Sequence, residues 1–372
     1  MKIDLIKKID VYFEDNLVGS LYQNDDLSTS FIYSKSWLNN GFSISPFKLP
    51  LTNEVFTCND YLVNNMFGVF LDSLPDSWGN MLIDKYLIKL GYNPSKITLF
   101  QRLTLLDNDS LGALEFKPSF KKEVDHKIKQ EFDDIKRNID ELIKQDSPIS
   151  DAFLDIYRKG HSTGGSRPKI NYRYDDGLYI VKFKGQYDEL DIGEKEYKLN
   201  LLASKCGINV PPCKLISSNI SKGYFATKRF DRDGTRKIHV ISLAGLLDLR
   251  VDLSQIHYKG FLQVVNKLCP KDNKEAIRRM IFNYLIDNKD DHPRNFSFIY
   301  DLKNHEYRLS PFFDITSTPN IKEHMMQVNN KDNPSIDDFL KDIEVCHISK
   351  KEVIEIYNDI KEKVDEYKKE NK

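Results

Sequence analysis

Apolar and polar positions alternate near the start of the chain. Ile9 to Phe13 and Ser30 to Tyr33 both follow a period of two, which predicts strands. The period then lengthens, and Ser77 to Leu90 reads as a helix ended by Gly91. Between Phe120 and Gln145 the composition shifts to dense charge, with Val124, Ile128, Phe132, Ile135, Ile139 and Leu142 at helical spacing. This predicts a partly solvated helix joining two units. After residue 160 come a glycine-containing turn, a strand from Gly177 to Phe183, a helix from Glu194 to Cys206 stopped by Gly207, and strands rich in Val, Ile and Pro. From about residue 237 helices dominate. Asp272 to Glu275 reads as a capping box before Ile277, Ile281, Tyr284 and Leu285, and Ser349 to Glu352 as another before Val353, Ile356, Tyr357, Ile360 and Val364. The expected fold class is α+β, with segments at 1–118, 119–236 and 237–372.

Composition narrows the classes of function. The 372 residues carry 55 Lys+Arg against 56 Asp+Glu, a formal net charge of −1, which excludes a broadly basic nucleic-acid coat while leaving a local patch open. A hydrophobic share of 40% excludes a disordered chain. Five scattered cysteines without C-x-x-C spacing argue against a disulfide framework and a Cys-based zinc site. The histidines show no zinc-ligand spacing either. No window approaches the ~18 apolar residues of a membrane span, and the charged first segment has no signal-peptide apolar core. The expectation is a cytoplasmic protein that does not engage membranes.

Candidate chemistry lies in Asn288-Lys-Asp-Asp-His-Pro-Arg-Asn295. Asp290 and Asn295 stand five apart, the separation in a protein-kinase catalytic loop, where a carboxylate accepts a hydroxyl proton and a carboxamide oxygen ligates Mg²⁺. A polar turn between helix and strand would look the same. Asp314 closes the apolar Ser310-Pro-Phe-Phe, where a kinase carries its second metal ligand, although the glycine of D-F-G is missing. Upstream, Lys182 interrupts the apolar Tyr179-Ile-Val and could meet the α/β-phosphates of a nucleotide, or could keep its head in water. Glu196 in the next helix could pair with it as a kinase αC glutamate does. Ahead of that strand, Ser162-Thr-Gly-Gly-Ser-Arg-Pro-Lys169 offers glycine backbone and two cations for phosphate. These weak signals fall in the order a kinase requires: phosphate loop, strand lysine, helix glutamate, catalytic Asp, Asn and metal Asp.

Seven ordered blocks carry a resemblance to the HipA-like toxin serine/threonine kinases of bacterial type II toxin-antitoxin modules. They are Phe70 to Gly79; Leu111 to Pro118; Gly164 to Lys169; Val181-Lys-Phe183 with Glu196-Tyr197; Gly207 to Pro211; Arg229 to Arg232 with His239; and Asn283 to Phe298 with Pro311 to Asp314. The resemblance implies a two-lobed, protein-kinase-like fold: a mixed N-terminal part with an extra N-terminal subdomain, then a mainly helical C-terminal lobe. It implies ATP and Mg²⁺, with Asp290 as catalytic base, Asn295 and Asp314 as metal ligands and Lys182 on the phosphates. Gly164, Gly165, Ser166, Arg167 and Lys169 would form the phosphate loop, Lys228, Arg229 and Phe230 the adenine hinge, and His292 would fall in the nucleotide site. Ser162 matches the family's inhibitory autophosphorylation serine, where a phosphate adds about −1.5 to −2 charge.

The implied partners are a HipB-like helix-turn-helix antitoxin, a protein substrate of the aminoacyl-tRNA synthetase class, and DNA only through the antitoxin. Asp291 departs from the pattern by placing a second carboxylate beside the proposed base. Two other readings stay open on the residues alone, a co-repressor subunit without catalysis and a small-molecule phosphotransferase. Trp78 is expected in the core, and His161 as a loop histidine.

Overall fold

The structure is a computed structural model that describes residues 2–107, 109–120, 131–144, 150–161, 163, 165–250, 252, 253 and 255–371. The chain divides into two compact units. Met1–Glu194, Lys214–Ile241 and Gly245–Asp248 form the first; Lys195–Cys213, Ser242–Ala244 and Leu249–Lys372 form the second.

The first unit opens with an antiparallel sheet of β1 (Lys8–Phe13), β2 (Asn16–Gln23), β3 (Thr29–Tyr33), β4 (Val55–Cys58) and β5 (Leu114–Lys117), in the order β4-β3-β2-β1-β5. Ile9, Val11 and Phe13 are buried, as strand alternation requires. A second sheet comprises β6 (Lys169–Tyr174), β7 (Gly177–Lys182), β8 (Cys213–Ile216) and β9 (Tyr224–Lys228), in the order β6-β7-β9-β8. Its Ile170, Tyr179 and Val181 share one core with helices α1 (Ser77–Lys89), α2 (Phe132–Ile143) and α3 (Asp151–Gly160). Trp78 sits in that core, and its indole N–H donates to the Lys169 carbonyl at 2.9 Å. That bond fastens α1 to the first residue of β6. The linker helix is helical from Phe132 to Ile143, with Ile135, Ile139 and Leu142 buried, while Val124 and Ile128 lie outside the described residues.

The second unit takes most of α4 (Ile192–Lys205), then α5 (Tyr258–Leu268), α6 (Asn273–Leu285), the hairpin β10 (Ser297–Asp301) with β11 (Glu306–Leu309), α7 (Ile336–Ile343) and α8 (Lys350–Glu370). Ile277, Ile281, Phe296, Phe339, Val353 and Ile360 are buried there. Gly91 and Gly207 follow α1 and α4 with φ of +82° and +71°, the left-handed stop that their sequence positions predict.

The capping box expected at Asp272 does not form. Its carboxylate accepts the two Arg308 guanidinium bonds, at 2.6 and 2.9 Å, and the Leu309 N–H at 2.9 Å, and makes no cap bond to α6. A bidentate arginine pair is stronger than a neutral amide contact. Ser349 does cap α8, accepting from the Glu352 N–H at 3.3 Å. His161 is no exposed loop residue; it is buried behind α3, its ring stacked on Tyr157 at 4.3 Å.

In the first unit His239 is buried, its Nε2–H donating to the Ile44 carbonyl at 2.9 Å and its ring 5.4 Å from Phe42. Burial pushes its pKa down to about 4, against the Ile44 contact. The folded chain therefore resists a proton that the unfolded chain accepts, so stability is complete above about pH 6.5 and falls as pH drops toward 4. Urea titrations across that range should show about 3 kcal/mol less acid-induced loss in His239→Gln than in the unsubstituted chain.

Candidate active site

Two groups of the expected residues lie in the first unit. Ser162 and Gly164 fall outside the described residues. Gly165 has φ of +88°, and a Cβ there would strike the Lys169 ammonium, so glycine is what lets this turn close over that lysine. The Gly165 N–H donates to Asp76 Oδ2 at 2.5 Å. Ser166 is exposed, and Arg167 pairs with Asp188 at 3.0 Å. Lys169 is buried at the start of β6 and stands directly opposite Lys182 of β7, with the Phe183 N–H bonded to the Pro168 carbonyl at 2.8 Å. The glycine turn thus feeds straight into the strand pair that carries Lys182. The Lys182 ammonium lies 5.7 Å from the Phe225 ring centroid, a cation over an aromatic face.

Lys228 ends β9 opposite Tyr179, and Phe230 is half-buried. Arg229 is buried, and all five of its guanidinium N–H groups have acceptors: Asp231 twice, Asn171, and the carbonyls of Asp109 and Ser110. Its side chain therefore ties the end of β9 to β6 and to the turn before β5. Its backbone N–H donates to the Leu178 carbonyl at 2.8 Å, so what Arg229 can still offer a ligand is its own carbonyl. Asp231 also accepts Arg232 Nη1 at 2.7 Å and the Gly112 N–H at 2.8 Å. Burial alone would raise its carboxyl, yet the two arginines hold it well below the usual carboxylate range.

The second unit holds the loop that follows α6. Asp287, at φ of +57°, turns the chain out of the helix. Pro293 starts a short 3₁₀ turn through Asn295, whose N–H returns to the His292 carbonyl at 3.0 Å. The Asn295 side chain is buried and donates Nδ2–H to the Asp290 carbonyl at 2.9 Å. That bond fixes which end of the carboxamide is nitrogen and leaves the oxygen as the end able to meet a cation. The Asp290 carboxylate is 51% exposed, open to a substrate, and Asp290 Oδ1 lies 4.0 Å from His292 Nε2. His292 Nδ1 is buried without a hydrogen-bond partner among the described residues. An orphaned ring nitrogen beside the proposed base suits a site that a polar ligand completes. Asp290, His292 and Asn295 are thus gathered in one loop.

Asp314 has φ of +57°, a left-handed conformation uncommon for a residue with a Cβ. Glu196 is buried on α4 in the second unit. Among the described residues no group of three or more His, Cys, Asp or Glu could hold a metal. A Mg²⁺ that arrives with phosphates needs only one or two protein oxygens, and Asp314 with Asn295 Oδ1 supplies that donor type.

Sequence reasoning left the role of Asp291 open. Its carboxylate is buried and accepts from Tyr258 Oη at 2.7 Å, His324 Nδ1 at 2.8 Å, Met325 N at 2.9 Å and Met326 N at 3.4 Å. With its lone pairs occupied, this second carboxylate is committed to holding its neighbours. Nothing in the local pattern marks it, because its donors are more than thirty residues away.

Sequence comparisons give the family. The profile of the HipA-like C-terminal domain matches residues 161–367, and that of the HipA N-terminal domain matches residues 9–117. The chain belongs to the HipA family. It is similar to a putative kinase of Haemophilus influenzae, 29% identical over 185 residues, covering 43% of this chain and 53% of that protein. A putative kinase of Sinorhizobium fredii is 26% identical over 274 residues, 66% of this chain and 62% of that one. The matched stretches thus span under two thirds of both proteins. The serine/threonine-protein kinase toxin HipA of Shewanella oneidensis is 22% identical over 358 residues, 86% of this chain and 77% of the toxin. The fold matches the Shewanella oneidensis structure of HipA with HipB and operator DNA, with a TM-score of 0.69 at 18% identity over 96% of this chain and 88% of that one. The fold is α+β and HipA-like. No described helix is long and apolar enough to cross a membrane.

Asp231→Ala leaves two buried guanidinium groups without their carboxylate. It should destabilise the chain by about 3–5 kcal/mol in urea unfolding, far more than an exposed pair such as Lys361 with Asp365 could contribute.

Proposed function

We propose that this chain is an ATP- and Mg²⁺-dependent serine/threonine kinase toxin that transfers the γ-phosphate of ATP to a protein serine. The observation that carries the reading is the 290–295 loop, where Asn295 donates its side-chain N–H to the Asp290 carbonyl and the Asp290 side chain is 51% exposed, 4.0 Å from His292 Nε2. In this reading Asp290 orients the acceptor hydroxyl and takes its proton. Asn295 and Asp314 are the metal ligands. Lys182 meets the α/β-phosphates, while Gly164, Gly165, Ser166, Arg167 and Lys169 shape the loop over the phosphates. Lys228, Arg229 and Phe230 present main chain and ring to adenine, and His292 completes the nucleotide site. Bound Mg²⁺ would neutralise the charge of the transferring phosphoryl group, so the protein's part is mainly positioning.

The family reading extends to self-limitation by phosphorylation of Ser162 and to a protein target of the aminoacyl-tRNA synthetase class. The Shewanella protein's structure contains HipB and operator DNA, which supports a HipB-like antitoxin as partner here, with DNA reached through that antitoxin.

Phosphate incorporation from γ-labelled ATP tests the reading. Asp290→Asn should lower the rate by about a hundredfold or more, and an undiminished rate would remove Asp290 from the role of base. Mass spectrometry of the chain after incubation with ATP should find phosphoserine at Ser162. Phosphate transfer to a small molecule, with no protein phosphorylated, would favour a small-molecule phosphotransferase instead.

A further inference from the structure

The loop bearing Asp290 is laced to the strap of chain that runs from Asp314 to Val328. Near the start of the strap, Thr316 Oγ1 donates to Asn288 Oδ1 at 3.4 Å and the Lys289 N–H donates to Thr318 Oγ1 at 2.8 Å. Lys289 Nζ–H donates to the Ile321 carbonyl at 3.0 Å, and at the far end, where the Met325 N–H also reaches the Lys289 carbonyl at 3.4 Å, one side chain gathers most of the bonds. Asp291 takes the Met325 and Met326 N–H groups on Oδ1, and His324 Nδ1–H with the Tyr258 hydroxyl on Oδ2. Both partners of Oδ2 are themselves held. Tyr258 accepts from Asn283 Nδ2 at 3.0 Å, and Asn283 Oδ1 accepts from Asn288 Nδ2 at 2.9 Å. His324 stacks on Tyr284 with ring centroids 3.8 Å apart at 11°, and Tyr284 Oη accepts the Val328 N–H at 2.9 Å.

A carboxylate accepts and never donates, so His324 must carry its proton on Nδ1. The residue next to the proposed base is thus the point where catalytic loop, strap and two helices converge. Because Asp291 is adjacent to Asp290 in the chain, anchoring its carboxylate restrains the backbone that carries Asp290.

We propose that Asp291 and His324 are positioning residues. Together they clamp the strap onto the catalytic loop and so set where Asp290 stands relative to an incoming protein hydroxyl. The clamp acts first on orientation at the acceptor side, with only a smaller effect passing to the nucleotide through His292. This rests on the kinase reading for its effect on rate; the clamp itself does not.

The full chain is assayed with γ-labelled ATP and dephosphorylated casein as a generic acceptor, across a range of ATP concentrations. Asp291→Ala and His324→Ala should each lower the maximal rate about tenfold or more with half-saturating ATP changed by less than about twofold. The double variant should be no slower than the slower single one, since both break the same clamp. His324→Asn, whose amide N–H takes the place of Nδ1–H, should recover most of the rate, and His324→Leu should not. Maximal rates within about twofold in both Ala variants, losses that multiply, or a loss confined to half-saturating ATP would overturn the proposal. Should an Ala variant fail to fold, the Asn and Leu pair at His324 decides, and equal rates for the two overturn it. Amide hydrogen exchange at Met325 and Met326, faster in Asp291→Ala, reads the clamp without catalysis, and unchanged exchange refutes it. An unsubstituted chain that transfers no phosphate to itself or to casein would instead defeat the kinase reading, with the exchange result still judging the clamp.

Discussion

A carboxylate withdrawn from water must find donors for both of its oxygens, and this chain is organised around meeting that demand. Asp231 meets it with two arginines and a backbone N–H, Asp272 with a bidentate arginine and a backbone N–H, and Asp291 with a tyrosine, a histidine and two backbone N–H groups. All the donors to Asp272 and Asp291, and the Gly112 N–H to Asp231, come from segments remote in sequence, so filling the lone pairs fixes a loop that has little apolar surface of its own. Polar loops gain defined geometry this way, and the proposed phosphotransfer, which would work by placing groups, would need that geometry.

The same demand explains which features were legible in the sequence. Local periodicity and helix stops were readable because their physics is local: β1, α1, α4 and α8 appear close to where alternation, helical spacing, Gly91, Gly207 and Ser349 put them. The Asp290 to Asn295 spacing was readable too, since a five-residue loop closes on itself through one side-chain bond. What escaped was decided at long range. Asp272 looks like a helix cap until an arginine thirty-six positions away claims it. Arg229 looks like a residue offered to a ligand until its five donors are traced to acceptors in three segments.

The two halves of the expected machinery rest on different kinds of support. Lys169 and Lys182 are set by strand register, a rigid scaffold in which neighbours are dictated by the ladder. Asp290, His292 and Asn295 sit on a loop whose shape comes from side-chain bonding rather than a ladder. A ladder holds its residues rigidly, whereas the position of a laced loop can be adjusted by changing one contact.

The left-handed backbone at Asp314 carries a consequence of its own. Kinase segments of this type usually keep a glycine two positions after the aspartate, a residue that adopts unusual torsions freely. Here Ile315 and Thr316 follow, and the aspartate itself takes the positive φ. A side chain bearing a Cβ there costs on the order of 1 kcal/mol relative to glycine. Thermostability engineering that scores this position by folding alone would therefore be drawn toward removing its carboxylate, so a consensus or computational redesign of this chain should hold residue 314 fixed from the outset.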